Sequence, residues 1–187
     1  MDVINVPNVI TLIRGLLIPV LAYALGTRDY DLAFAIFVFC AVSDLVDGWI
    51  ARRFNLRTRF GAVADPLADK LTMLATTLLL AWQAWLPWWF ALLVVMRDVV
   101  IVSGAVAYHF HVGHVEMSPT RLSKANTAIE FVLLAGVLAI AAELVDSGLW
   151  LTVLLWTCTM TVLASGVQYV VVWSRKAASQ GTARRAA

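Results

Sequence analysis

Four aspartates lie inside two apolar segments, Asp44 and Asp47 in one and Asp65 and Asp69 in the other. An ionised side chain within an apolar span costs roughly 2.5–3.5 kcal/mol on insertion scales. Four together need a compensating charge, and divalent cations are the obvious one. Asp44 and Asp47 are three residues apart and share a helix face, which Gly48 and Ala51 continue. Gly61, Asp65 and Asp69, spaced by four, form a second stripe. Residues 53–60 join Arg52 to Gly61, too short a stretch for anything but a tight return. The two segments are expected to be antiparallel neighbouring helices whose carboxylates face each other.

The rest of the chain supplies an apolar setting. It is 61% hydrophobic, with a mean hydropathy of +0.84, whereas soluble domains average about 45–50% apolar. An all-α integral membrane protein is expected, with one domain over 1–174. Six spans are long enough for a bilayer of about 30 Å, near 8–27, 31–52, 61–83, 86–108, 121–143 and 148–173. Pro66 is expected to begin a helical turn or to bend the third span beside Asp65. The last residues, 175–187, read as a disordered basic tail near anionic headgroups. Cys40 and Cys158 fall in apolar spans and read as small core residues. The N-terminus shows no signal-peptide pattern.

Net charge is +2, but its distribution says more. Arg52, Arg53, Arg57 and Arg59 crowd one connection. Arg121 and Lys124 follow another, and Arg175, Lys176, Arg184 and Arg185 lie in the tail. The opposite connections carry no charge, or are acidic at Glu143 and Asp146; the 27–31 turn sets Arg28 against two aspartates. The positive-inside pattern puts both termini and the aspartates in the cytoplasm, as expected for a bacterial inner (cytoplasmic) membrane protein. Trp82, Trp85, Trp88, Trp89 and Trp150 then form an aromatic belt at the outer interface rather than a binding site. Nucleic acid is not an expected partner.

All-oxygen ligands select a hard cation, Mg²⁺ or Mn²⁺, over zinc. Two such ions about 3.5–4 Å apart can clamp a diphosphate and neutralise charge growing on a leaving oxygen. One carboxylate could accept a proton from an attacking hydroxyl. Gly48, Ala51 and Gly61 would let a ligand approach the backbone, and Arg52 could hold phosphate. A divalent-cation transporter also needs clustered intramembrane carboxylates, but no ladder of polar residues crosses the spans. A prenyl-diphosphate transferase would carry two separate aspartate-rich motifs rather than one compact block.

The pattern Asp44-x-x-Asp47-Gly48-x-x-Ala51-Arg52, then eight residues, then Gly61-x-x-x-Asp65-x-x-x-Asp69 resembles the signature of the CDP-alcohol phosphotransferase family. The resemblance implies that family's fold of six transmembrane helices and a homodimer. It also implies that Asp44, Asp47, Asp65 and Asp69 bind two divalent ions, with Asp69 doubling as the base. Gly48, Ala51, Arg52 and Gly61 would line the CDP pocket. An alcohol would attack the phosphorus carrying the lipid and expel CMP.

Three further stretches bear on the substrates. Pro7-Asn8-x-x-Thr11-x-x-Arg14 opens the first span. Asn8 reads as a helix cap with Thr11 on its face, and in glycerophospholipid members of the family this stretch abuts the nucleotide. Arg97-Asp98 interrupts the fourth span, where an Arg needs a partner such as Asp98 or a motif aspartate. Pro119-Thr120-x-x-Ser123-Lys124-x-Asn126-Thr127 opens the fifth with groups suited to a phosphate. Together with Arg97-Asp98 it resembles the CMP-forming cardiolipin synthase branch. That branch implies CDP-diacylglycerol as donor and phosphatidylglycerol as acceptor, with Arg97, Ser123, Lys124 and Asn126 at the acceptor phosphate. Glu130 replaces the Gln expected there; the alternative acceptor is glycerol 3-phosphate, as in phosphatidylglycerophosphate synthases. His109, His111 and His114 read as a solvated loop rather than metal ligands.

Overall fold

The computed structural model describes residues 6–53, 61–112 and 121–185. They form six helices, with no strand among them: α1 (Val6–Gly26), α2 (Tyr30–Arg53), α3 (Gly61–Trp82), α4 (Trp88–Val112), α5 (Arg121–Ala141) and α6 (Leu149–Arg185). Each lies where an apolar span was expected. Two are long and apolar enough to cross a membrane, over Leu122–Ala141 and Leu149–Val171, and Leu12–Gly26 is a shorter apolar stretch.

Two expectations are corrected. Residues 175–185 continue α6 instead of forming a disordered tail. This stretch is rich in Ala, Arg, Lys and Gln, all strong helix formers, so propensity carries the helix onward. Second, α4 runs to Val112, which puts His109 and His111 on its last turns and not in a loop. The segment before them, Gly104-Ala-Val-Ala-Tyr108, offers no Pro or polar cluster to stop a helix. His114 lies outside the described residues. Pro66 falls inside α3, whose helix passes through it.

The chain divides into two compact units. The first holds α1, α2, α3 and α5 from Leu134; the second holds α4, α6 and α5 up to Leu133. In the first, α1 packs along both α2 and α3, while α2 and α3 touch each other only slightly among the described residues. Among the described residues, α1 thus bridges the two aspartate helices.

The stripes explain this packing. On α2, Ala33, Ile36, Phe37 and Cys40 are buried at the i, i+3, i+4, i+7 spacing of one helix face, and Asp44 is the next step. On α3, Thr72, Met73, Thr76 and Leu80 are buried, and Asp69 starts that face. On α1, Leu21 and Leu25 are buried, seven and eleven residues after Arg14. Each charged residue thus continues its helix's buried face. Two of the three buried threonine hydroxyls on α3 are satisfied locally: Thr72 donates to the Ala68 carbonyl at 2.9 Å and Thr76 to that of Thr72 at 2.8 Å.

The opposite end of this unit is latched by neutral hydrogen bonds. The Tyr30 hydroxyl donates to Gln83 Oε1 at 2.9 Å and accepts from Trp85 Nε1 at 3.0 Å. The rings of Tyr30 and Trp85 meet edge to face at 5.7 Å. Gln83 Nε2 donates to the Leu25 carbonyl. Asp29 caps α2, accepting from the Leu32 amide at 3.2 Å.

Three helices, α1, α3 and α5, end in the same motif. Asp29, Trp85 and Leu144 donate their amides five residues back, to Ala24, Leu80 and Ala139. Arg28, Ala84 and Glu143 donate three residues back. This Schellman pattern puts Arg28 (φ 63°), Ala84 (φ 64°) and Glu143 (φ 56°) in the left-handed region, where glycine is usual. A side chain there costs about 1–2 kcal/mol, part of which a glycine returns through its greater unfolded-state entropy. Ala84→Gly should therefore stabilise the protein by up to about 1 kcal/mol and Ala84→Val should destabilise it. Apparent melting temperatures in detergent check this; a destabilising glycine would remove the left-handed assignment.

Candidate active site

The first site is built on a buried cation. Arg14 is 1% exposed, and its Nη1 donates to Asp44 Oδ1 at 2.8 Å and to Asp69 Oδ1 at 2.5 Å. One guanidinium nitrogen on α1 thus joins the first and last aspartates of the motif, from α2 and α3. The two Oδ1 atoms are no farther apart than two hydrogen-bond lengths. Asp44 and Asp69 remain 39% and 36% exposed, so each carboxylate meets Arg14 on one side and stays open on another.

Asp47, Gly48, Ala51 and Arg52 fall on α2, Gly61 and Asp65 on α3, and Asn8 and Thr11 on α1. Their side chains lie outside the described residues. Asp65 is one helical turn before Asp69, and Asp47 is three residues after Asp44. Asn8 and Thr11 precede Arg14 by six and three residues on the helix that packs against α2 and α3. Arg14 itself received no role from the sequence beyond its place in a motif. The signal that marks it is an arginine within an apolar span, which needs a partner at that depth.

The donor chemistry fits a hard divalent ion. Asp44 and Asp69 present carboxylate oxygens to a shared point from two helices, and the other motif residues of this type are also aspartates. Oxygen-only donors suit Mg²⁺ or Mn²⁺.

The second polar centre lies in the other unit. Arg97, 8% exposed on α4, donates through Nη2 to Ser123 Oγ at 2.7 Å and Ser165 Oγ at 3.0 Å. Its Nη1 donates to Asp98 Oδ1 at 2.9 Å. Of the two partners considered for Arg97, the structure thus shows Asp98. Arg97 also lines an apolar cavity of about 530 Å³ with Leu93, Met96, Val162 and Gly166. Gly166 lies close to the stem: a Cβ there would meet Arg97 Cγ at 3.9 Å.

Asn126 belongs to a separate cluster. It is fully buried, accepts from Thr161 Oγ1 at 2.9 Å and donates to Glu130 Oε2 at 3.4 Å. Lys124 is exposed. Of the four residues expected at the acceptor phosphate, Arg97 and Ser123 bond to each other. Ser165, Thr161 and Glu130 are the members of these clusters that sequence reasoning gave no site role. Ser165 and Thr161 looked like ordinary polar positions in an apolar span, and nothing local distinguishes them.

Several known proteins resemble this chain. A fusion protein of Schizosaccharomyces pombe, cardiolipin synthase (CMP-forming) / mitochondrial hydrolase, is 35% identical over 91% of the chain and 31% of its own length. Human cardiolipin synthase (CMP-forming) is 28% identical over 88% of the chain and 60% of its own length. The CDP-diacylglycerol–glycerol-3-phosphate 3-phosphatidyltransferase of Pectobacterium atrosepticum is 44% identical over 52% of the chain and 56% of its own length. The chain therefore spans less than two thirds of each of these relatives. The CDP-alcohol phosphatidyltransferase family matches residues 4–177, a stretch that holds α1 to α5, most of α6, and all four aspartates. The chain belongs to the CDP-alcohol phosphatidyltransferase family.

Proposed function

We infer that the chain is a membrane phospholipid synthase. It transfers the phosphatidyl group of CDP-diacylglycerol to the hydroxyl of phosphatidylglycerol, releasing CMP and giving cardiolipin. The observation that carries this is the convergence of Asp44 and Asp69, from two helices, on a single point. Two relatives similar over most of the chain, named as cardiolipin synthases, favour this acceptor. Glycerol 3-phosphate is the second reading, favoured by the 44% identity over 103 residues to an enzyme named for that acceptor. Family membership favours group transfer over cation transport.

In this mechanism Asp44, Asp47, Asp65 and Asp69 hold two divalent ions, Mg²⁺ or Mn²⁺. Bound there, the ions neutralise charge on the donor diphosphate and on the departing CMP. Gly48, Ala51 and Gly61 let the CDP group lie against the helix backbones, and Arg52, Asn8 and Thr11 hold its polar edge. Asp69 accepts the proton of the acceptor hydroxyl. The hydroxyl oxygen bonds to the phosphorus bearing diacylglycerol, the bond from that phosphorus to the bridging oxygen breaks, and CMP leaves with the electron pair. Arg97, Ser123, Lys124 and Asn126 serve the acceptor phosphate: Arg97 and Ser123 by contact, Lys124 by exposed charge at the start of α5, and Asn126 by fixing that helix through Glu130 and Thr161. The six helices span the membrane, the aspartates and both termini face the cytoplasm, the exposed tryptophans form the outer belt, and the protein works as a homodimer. A bacterial cytoplasmic membrane is its setting.

CMP release from CDP-diacylglycerol should be measured with phosphatidylglycerol, glycerol 3-phosphate, inositol phosphate and serine offered in turn. Phosphatidylglycerol should give the fastest release, EDTA should stop it, and added Mn²⁺ or Mg²⁺ should restore it. A preference for glycerol 3-phosphate selects the second reading, and turnover in EDTA excludes the ions. Asp69→Asn should lower turnover by at least about 10²-fold while donor binding persists; full turnover would take the base role from Asp69.

A further inference from the structure

Arg14 meets the proposed metal ligands from behind. Its guanidinium carries a permanent charge, since no accessible pH removes its proton. It is buried at 1% exposure, whereas Asp44 and Asp69 keep more than a third of their surface open. The carboxylates therefore face a fixed cation on their buried side and can receive a mobile one on the other.

The fixed cation and the mobile one are not independent. Arg14 Nη1 holds Oδ1 of both Asp44 and Asp69, and these atoms are donors that a divalent ion would use. Charge-assisted hydrogen bonds withdraw electron density from the oxygens they engage. A dication arriving at the same oxygens is also repelled by the guanidinium, because both cations then share the same carboxylates.

We propose that Arg14 is a resident counter-cation that competes with divalent ions for Asp44 and Asp69, so that it holds the aspartate pair together before metal arrives and sets metal affinity lower than the four carboxylates alone would give. This rests on the two-metal reading above and adds to it a role for a residue of α1. Arg14 is a positioning residue, since it acts through the two aspartates.

The test is Mn²⁺ binding by the purified full chain in detergent, read from the electron paramagnetic resonance signal of free Mn²⁺. Wild type, Arg14→Gln and Arg14→Lys are compared, without lipid substrate. Arg14→Gln should bind Mn²⁺ at least about ten-fold more tightly than wild type. Arg14→Lys keeps the charge but loses the planar fork and should fall between them. Mn²⁺ should also raise the apparent melting temperature more in Arg14→Gln than in wild type. If Mn²⁺ binds wild type and the Gln variant equally, or the variant more weakly, the competition is refuted while the metal reading stands. If neither binds Mn²⁺, the two-metal reading fails and takes this role with it. Should Arg14→Gln not fold, Arg14→Lys decides alone: affinity at or below wild type overturns the proposal.

Discussion

A single buried guanidinium holds three helices to one point. The arrangement follows from a simple electrostatic demand. Carboxylates at Asp44 and Asp69 continue buried helix faces, and two anions so close repel each other unless a cation stands between them. Arg14 supplies it from α1, and because α1 also packs along α2 and α3, the same helix provides both the apolar seam and its charged end. Removing one partner from such a cluster leaves an uncompensated charge, the expensive case for buried ion pairs. The site and the packing of this unit are for that reason one structure and not two.

The second unit handles a buried arginine differently. Arg97 is joined to Asp98, its neighbour in sequence, and to the hydroxyls of Ser123 and Ser165. One carboxylate and two neutral oxygens spread the compensation over α4, α5 and α6. Consecutive residues on a helix point in different directions, so the Arg97–Asp98 pair forms only because the arginine stem is long enough to fold back. The small residue at Gly166 leaves space beside that stem. Close by, Thr161, Asn126 and Glu130 form a run of side-chain hydrogen bonds between α5 and α6. The buried side chains of Arg97, Ser123, Asn126 and Glu130 are thus grouped so that each has a partner, as low-dielectric surroundings require.

Much of this was legible from sequence. Apolar runs bounded by charge or by Gly and Pro located all six helices, because the hydrophobic pattern is strong and the spans are long. The spacing of Asp44, Asp47, Asp65 and Asp69 put them on helix faces, and the structure joins Asp44 with Asp69. The role of α1 was not legible: the motif lies wholly on α2 and α3, so direct pairing of those two looked sufficient. An arginine at position 14 gives no hint of which helices it will meet, since that depends on tertiary packing. The left-handed ends at Arg28, Ala84 and Glu143 were hidden for another reason. None is glycine, and the hydrogen bonds that impose them come from the backbone, where side-chain identity has no voice. The length of α6 was missed because charge and small residues were read as disorder, when the same residues are good helix formers.

The latch formed by Tyr30, Gln83 and Trp85 sits at the far end of the same three helices, about 16 Å along α1 from Arg14 at 1.5 Å per residue. Its bonds are between uncharged groups, so neither salt nor a divalent ion loosens them. The contacts of Arg14 with Asp44 and Asp69 are between full charges, which salt screens. A bundle clamped by neutral contacts at one end and by charge at the other keeps the first clamp whatever the ionic strength, and a change of salt is felt at the second.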